Sequence, residues 1–293
     1  MKIVRTKGEL RRALGEERRQ GRSIGFVPTM GSFHEGHLEL MRRARRCCDC
    51  VVVSIFVNPF QFGPSEDFEG YPRDLDRDGE LAAGIGVDWL FAPSVEEMYP
   101  GGTMAMRLEV GRIGDVGEGR WRPGFFSGVA TVCLKLFHLV GADRAYFGQK
   151  DAQQLAVIRQ VVAELDLPLE VVACPTVREA DGLAASSRNV HLDAGARRAA
   201  TALPHALLAA REAAAAGERS AEGLAAAVQE SLGKEPGMRL QYVEVFDPET
   251  FEPVSEIRGP AVLAAAAFAG DVRLIDNVEV GVGAGLEPGG GPC

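Results

Sequence analysis

Two histidines three residues apart, His34 and His37, stand in the segment Pro28-Thr29-Met30-Gly31-Ser32-Phe33-His34-Glu35-Gly36-His37-Leu38. Flanking glycines let a backbone approach a ligand closely. A helical pattern runs from Leu38 to Arg46, and the start of a helix offers unpaired N–H groups and a positive dipole end to an anion. Two imidazoles at that end can hydrogen-bond phosphate oxygens as negative charge shifts in a transition state. A lone histidine is more often a surface or satisfied core residue. A pair on a glycine-flanked loop entering a helix is chemistry for a nucleotide phosphate chain, and it points to an enzyme that uses ATP.

Three further segments carry chemistry. Phe147-Gly148-Gln149-Lys150-Asp151-Ala152-Gln153-Gln154 again follows a strand-like run and opens a helix. Gly148 permits close approach and Lys150 supplies a point charge for phosphate. Asp151 suits a helix cap or a ribose hydroxyl. In Arg178-Glu179-Ala180-Asp181-Gly182-Leu183-Ala184-Ala185-Ser186-Ser187-Arg188-Asn189, adjacent hydroxyls and an arginine suit a clamp on terminal phosphates, on a loop able to close over ATP. The plain alternative is a polar linker. Asn58-Pro59-Phe60-Gln61-Phe62 brings uncharged amides, which suit a small hydroxyl- and carboxylate-bearing substrate. Gln154, one helical turn beyond Lys150, is expected to face the same pocket. No G-x-x-x-x-G-K-[ST] segment occurs, which disfavours a P-loop ATPase, and no G-x-S-x-G setting surrounds Ser186 and Ser187, which disfavours a serine nucleophile there.

The elements around these segments alternate. Lys7 to Gly21 reads as a charged amphipathic helix, and Ile24 to Val27 as the first core strand. Val51 to Val57 is an unbroken apolar run, the mark of a parallel strand buried on both faces. Asp74 to Leu81 reads as a helix, Trp89 to Ala92 as a strand, and Val129 to Val140 as a helix. Arg144 to Phe147, Leu155 to Leu165 and Leu169 to Cys174 continue as strand, helix and strand. This alternation predicts an α/β, Rossmann-like, doubly wound parallel sheet with ligands at the strands' carboxyl ends. Met30, Asn58, Gln61 and Gly148 all fall there. The character changes after residue 176. Ala194 to Ala215 and Ala221 to Leu232 read as helices, and Leu240 to Phe246, Ala261 to Phe268 and Val272 to Ile275 as strands. Gly270-Asp271 is a hairpin signal. The expected organisation is a domain at 1–176 and a smaller α+β domain at 177–293, with a disordered tail from about 283.

Composition narrows the function classes. The chain has 293 residues with 32 Lys and Arg against 41 Asp and Glu, a net charge of −9. That argues against a nucleic-acid partner, which needs a broad basic surface. No apolar stretch reaches membrane-span length, and the basic amino terminus lacks an apolar signal core, so no membrane role is expected and the cytoplasm is the default location. Of six cysteines, only Cys47 and Cys50 have metal-like spacing. Two ligands do not make a structural zinc site, and small buried apolar residues are the simpler reading.

Taken together, these segments resemble the pantothenate synthetases (pantoate–β-alanine ligases) of the nucleotidyltransferase superfamily. The resemblance is carried by Pro-Thr-Met-Gly-x-x-His-x-Gly-His at 28–37, Val-Ser-Ile-Phe-Val-Asn-Pro-x-Gln-Phe at 53–62, Tyr71-Pro72-Arg73, Gly148 to Gln154, and Arg178 to Asn189. It extends to Val243-Glu244-Val245 and Arg273-Leu274-Ile275-Asp276-Asn277. It implies a Rossmann-like ATP-binding domain lidded by a smaller one, a homodimer, and a two-step reaction with Mg²⁺. Pantoate and ATP give pantoyl adenylate and pyrophosphate; β-alanine then gives pantothenate and AMP. The implied catalytic residues are His37, His34 and Lys150. The implied ATP set is Met30, Gly31, Ser32, Phe33, His34, Glu35, Gly36 and His37, then Gly148, Gln149, Lys150 and Asp151, then Val177, Ala185, Ser186, Ser187 and Arg188. Gln61, Gln154 and Asn58 would meet pantoate and β-alanine. Family members usually carry two adjacent acidic residues where this chain has Asp76-Arg77-Asp78, which leaves Asp78 as the candidate metal ligand. Phe125 stands where histidine is usual, Ser127 where arginine is frequent, and Ala185 where a larger apolar residue is frequent. The competing reading is a nucleotidylyltransferase acting on a phosphorylated small molecule. A noncatalytic ATP-binding module is a third.

Overall fold

The structure, a computed structural model, describes residues 1–63 and 68–281; the tail expected to be disordered lies outside the described residues. The first part of the chain alternates β1 (Lys2–Val4), α1 (Lys7–Arg19), β2 (Ile24–Thr29), α2 (Glu35–Cys47), β3 (Cys50–Ile55), α3 (Leu75–Ile85), β4 (Trp89–Phe91), α4 (Val95–Met98), α5 (Glu118–Trp121), α6 (Phe125–Val140), β5 (Arg144–Gly148), α7 (Ala152–Glu164) and β6 (Glu170–Cys174). The six strands form one sheet in the order β1-β4-β3-β2-β5-β6, and every pair in it is parallel. Because strand side chains alternate between faces, Phe26, Val52 and Phe91 enter one core. Their neighbours Val27, Val53 and Leu90 enter the other, with Met41 of α2. Burial on both faces explains the unbroken valine run of β3. The winding reverses at β2, which has β3 on one side and β5 on the other. The carboxyl ends of β2 and β5 therefore flank the crevice where doubly wound sheets take ligands.

The second part contains α8 (Ala194–Ala200), α9 (Ala202–Ala215), α10 (Ala221–Gly233), β7 (Met238–Phe246), β8 (Ala261–Ala269) and β9 (Val272–Val280). The three strands form an antiparallel sheet in the order β7-β8-β9. The small side chains of Ala264 to Ala267 in β8 are almost fully buried, and the β8–β9 hairpin turns at Gly270 with φ +57°.

Three expectations need correction. The helix expected from Ala194 to Ala215 is broken at Thr201. Pro204 has no N–H to donate, and its ring displaces the carbonyl four residues back, so α9 starts afresh just before it. The last strand runs to Val280 rather than Ile275. The edge strand β1 was not foreseen, because three residues are too few to show a period.

Candidate active site

The paired histidines owe their placement to the turn between β2 and α2. Gly31 has φ +86°, and a Cβ there would lie 3.0 Å from both Asp78 Oδ2 and Ile55 Cγ2. Ser32 follows at φ +54°. The turn is braced from behind: the amides of Ser32 and Phe33 donate to the two Asp78 oxygens at 2.7 and 2.8 Å. His34 then caps α2, its Nδ1 accepting from the Gly36 amide at 3.2 Å. A side chain at 36 would meet the imidazole at 2.9 Å, which is why the residue between the histidines is glycine. Since Nδ1 accepts, the proton of neutral His34 sits on Nε2. The rings of His34 and His37 lie 4.1 Å apart, and His37 packs on Phe33 at 5.6 Å. His37 Nδ1 is buried with no hydrogen-bond partner among the described residues.

Burial, reinforced by the nearby Lys150 charge, depresses the His34 pKa to about 4. Burial, then His34 and Lys150, hold His37 well below the ordinary imidazole range. Both rings are therefore neutral at neutral pH in the ligand-free chain. A histidine depressed on folding binds its proton more readily when unfolded, so the fold loses stability as pH falls from about 6.5 toward about 4. Asn at 34 keeps a capping acceptor without titrating. The stability margin of the wild type over His34→Asn, read as urea midpoints, is expected to shrink across that window. Parallel pH profiles for the two proteins would refute the assignment.

The second loop leaves β5. Gly148 ends the strand, Gln149–Asp151 form one 3₁₀ turn, and α7 begins at Ala152. The turn brings Lys150, Asp151 and Gln154 to a cleft that His34, Gly36, His37, Gly148, Val177 and Ala185 also line. The Lys150 ammonium has no ion-pair partner among the described residues. An adjoining cleft, reached through Lys150, is lined by Ser186, Arg188 and Asn189. This third loop is pinned at its base. Asn189 donates to Glu179 at 2.6 Å and to the Ala184 carbonyl at 3.0 Å, and Arg197 of α8 pairs with Glu179 and Asp181. Ser187 lies beside Tyr71.

Several expected ligand contacts have other partners here. Asn58 is fully buried. Its Nδ2 donates to Gln61 Oε1 and to the Gly128 carbonyl, both at 3.2 Å, while its Oδ1 accepts from the Tyr99 hydroxyl at 3.1 Å and the Phe60 amide at 3.4 Å. All of these hydrogen bonds lie within the protein, and the one to Gln61 orients that amide. Gln61 in turn reaches Met30 Sδ at 3.0 Å. Glu35 pairs with Arg42 on the surface, Gln149 donates to Glu279 at 3.1 Å, and Phe33 is a core residue. Met30, Gly31 and Asp78 line a neighbouring cleft with Arg73.

Asp78 is only 1 % exposed, and both of its oxygens accept loop amides, so it braces the histidine turn. Burial raises its pKa despite those two bonds. Among the described residues no three of His, Cys, Asp or Glu cluster as a metal cradle.

Residues not singled out as functional in the sequence complete the arrangement. Arg178, next to Val177, makes a two-pronged ion pair with Asp276 of β9 at 2.7 and 3.1 Å. Asn277 holds the Lys150 turn by its carbonyls. Glu118 of α5, 6 % exposed, takes both Arg273 prongs at 2.6 and 2.8 Å. These join the two sheets across the site. Each partner lies about a hundred residues or more away in the chain, so no local pattern marks them.

Comparison with known proteins agrees with this geometry. The family model described as pantoate-beta-alanine ligase matches residues 2–279. The pantothenate synthetase of Pelotomaculum thermopropionicum is 54% identical over 281 residues, 96% of this chain and 99% of the relative. That of Moorella thermoacetica is 50% identical over 282 residues, covering 96% and 99%. Among solved structures, the pantothenate synthetase of Thermus thermophilus superposes with a TM-score of 0.90 at 51% identity, covering 96% of this chain and 100% of that one. The pantoate-beta-alanine ligase of Francisella tularensis, complexed with beta-gamma ATP and beta-alanine, gives 0.76 at 34% identity, covering 94% and 97%. With the two-histidine turn, the lysine turn and the serine–arginine loop assembled at the sheet's switch point, and near-complete matches to such relatives, the chain belongs to the pantoate–β-alanine ligase family.

Proposed function

We propose that this chain condenses pantoate with β-alanine at the expense of ATP, through a pantoyl-adenylate intermediate, releasing pyrophosphate and AMP. The observation that carries the reading is the convergence of two neutral imidazoles and a lysine on one cleft at the ends of β2 and β5. The pantoate carboxylate attacks the α-phosphorus, and the bond from that phosphorus to the bridging oxygen of pyrophosphate breaks. The β-alanine amine then attacks the acyl carbon, the bond to AMP breaks, and the amine loses a proton. The His34 Nε2–H and the Lys150 ammonium would stabilise the charge that builds on the departing phosphates. Val177 and Gly148 would flank the nucleoside, and Ser186 and Arg188 the terminal phosphates. Gln154 and Gln61 would grip pantoate. A triphosphate beside the imidazoles raises their proton affinity, which fits His37 for donation to the leaving group.

In this reading residues 1–176 bind ATP and pantoate, and residues 177–293 form the lid. Magnesium enters with the ATP substrate, and no step here depends on a protein-held ion. A homodimer and a cytoplasmic location complete the reading. No helix among the described residues is long and apolar enough to cross a membrane.

The test is pyrophosphate release from ATP and Mg²⁺ with pantoate, with and without β-alanine. A burst with pantoate alone, followed by sustained AMP and pantothenate on adding β-alanine, is expected. Folded, ATP-binding protein that releases pyrophosphate only with a phosphorylated co-substrate would make the chain a nucleotidylyltransferase.

A further inference from the structure

Strand β9 enters the site from the second sheet and touches both phosphate-facing loops through adjacent residues. Asn277 Nδ2 donates to the Gln149 carbonyl at 3.0 Å and to the Lys150 carbonyl at 2.8 Å, which uses both of its N–H groups. The side chain is 9 % exposed. The two carbonyls belong to the 3₁₀ turn that carries Lys150. Asp276, 3 % exposed, holds the Arg178 fork, and its Oδ1 also accepts the Asn277 amide at 2.8 Å. Arg178 further donates to the Gly182 carbonyl at 3.1 Å, closing the turn that leads to Ser186–Arg188.

We infer that Asn277 is a positioning residue for Lys150. Through Asp276–Asn277, β9 fixes the lysine turn and the serine–arginine loop in one mutual geometry. The inference rests on the reading of Lys150 as a phosphate contact. A lysine on a flexible stem is placed by its backbone, and the two carbonyls gripped by Asn277 are that backbone. A displacement of about 1 Å in a group of this kind costs on the order of 10²-fold in rate. The neighbouring link from β9, Gln149 Nε2 to Glu279 at 3.1 Å, is exposed and joins side chains only, so it does not fix the turn.

The test is a double-mutant cycle on the rate of pantoate-dependent pyrophosphate release, using wild type, Asn277→Ala, Lys150→Ala and the double variant, with kcat and the ATP KM measured for each. Asn277→Ala is expected to lower kcat by about 10-fold or more, and to add less than about 2-fold once Lys150 is gone, because coupled residues are not additive. Glu279→Ala is expected to stay within about 2-fold of wild type, as an exposed surface substitution does. Asn277→Asp, which keeps the shape but removes the donor, replaces Asn277→Ala in the cycle should the alanine variant not fold. Full multiplicative loss in the double variant, an unaffected Asn277→Ala, or a Glu279→Ala loss as large as that of Asn277→Ala would overturn the inference. Undiminished turnover in Lys150→Ala alone would instead overturn the phosphate reading on which it rests.

Discussion

Lys150→Ala is expected to lower pantoate-dependent pyrophosphate release by about 10²- to 10³-fold, the usual loss when one preorganised transition-state contact is removed, while the unfolding transition stays where it is. The ammonium has no ion-pair partner among the described residues, so its removal strands no buried opposite charge. It does lower the proton affinity of both imidazoles, which shows that its field reaches the cleft that they line. Its work therefore begins when an anion arrives. His37→Ala is expected to fall in the same range of about 10²- to 10³-fold for a different reason. A neutral ring with a buried Nδ1 that no described residue partners is a hydrogen-bonding group held dry, and such a group gains most from a partner that appears only with substrate. Turnover of either variant at the wild-type rate would remove that residue from the chemistry.

Asp78→Ala should act on stability first. The substitution leaves the part-buried Ser32 amide and the buried Phe33 amide without an acceptor, at about 1–3 kcal/mol each, so a loss of about 2–6 kcal/mol is expected in urea unfolding. Gly31 and Ser32 are held at positive φ against this carboxylate, so the histidine turn loses its support and activity falls with it. Asp78→Asn keeps one acceptor oxygen and is expected to lose about half as much. The Mg²⁺ dependence of either variant should match that of wild type. Wild-type stability combined with a raised Mg²⁺ requirement would return Asp78 to the metal.

Much of this site was legible in the chain because its pieces are local. The histidine turn, the lysine turn and the strands before them are marked by glycines and by a switch from an apolar run to helical period within a few residues. Roles decided by distant partners were not. Asn58 has the composition of a substrate amide, and only the Tyr99 hydroxyl and Gly128 carbonyl show that it is already satisfied. The bracing of the histidine turn by Asp78 spans 46 and 45 residues of chain. The carboxylate at 276 and amide at 277 lie 98 and 127 residues from Arg178 and Lys150, beyond any periodicity. The Ala-rich run from 194 to 215 hid its break because alanine favours helix throughout and one proline decides where a new helix starts.

The sheet order has a consequence for how the molecule comes into being. β2 pairs with β3 at once, Ile24 against Cys50, but it meets β5 only when Arg144 is available, and β1 waits for Trp89. Non-local parallel pairing is slow, because loop closure precedes its reward. A chain growing from its amino terminus thus carries the two-histidine turn from Asp78, its brace, to Arg144 with one wall of the crevice missing. β1 has no place until the edge of the sheet exists. The nucleotide cleft is a late product of assembly, since its lysine wall and its histidine wall belong to strands joined only when the first sheet closes around β2.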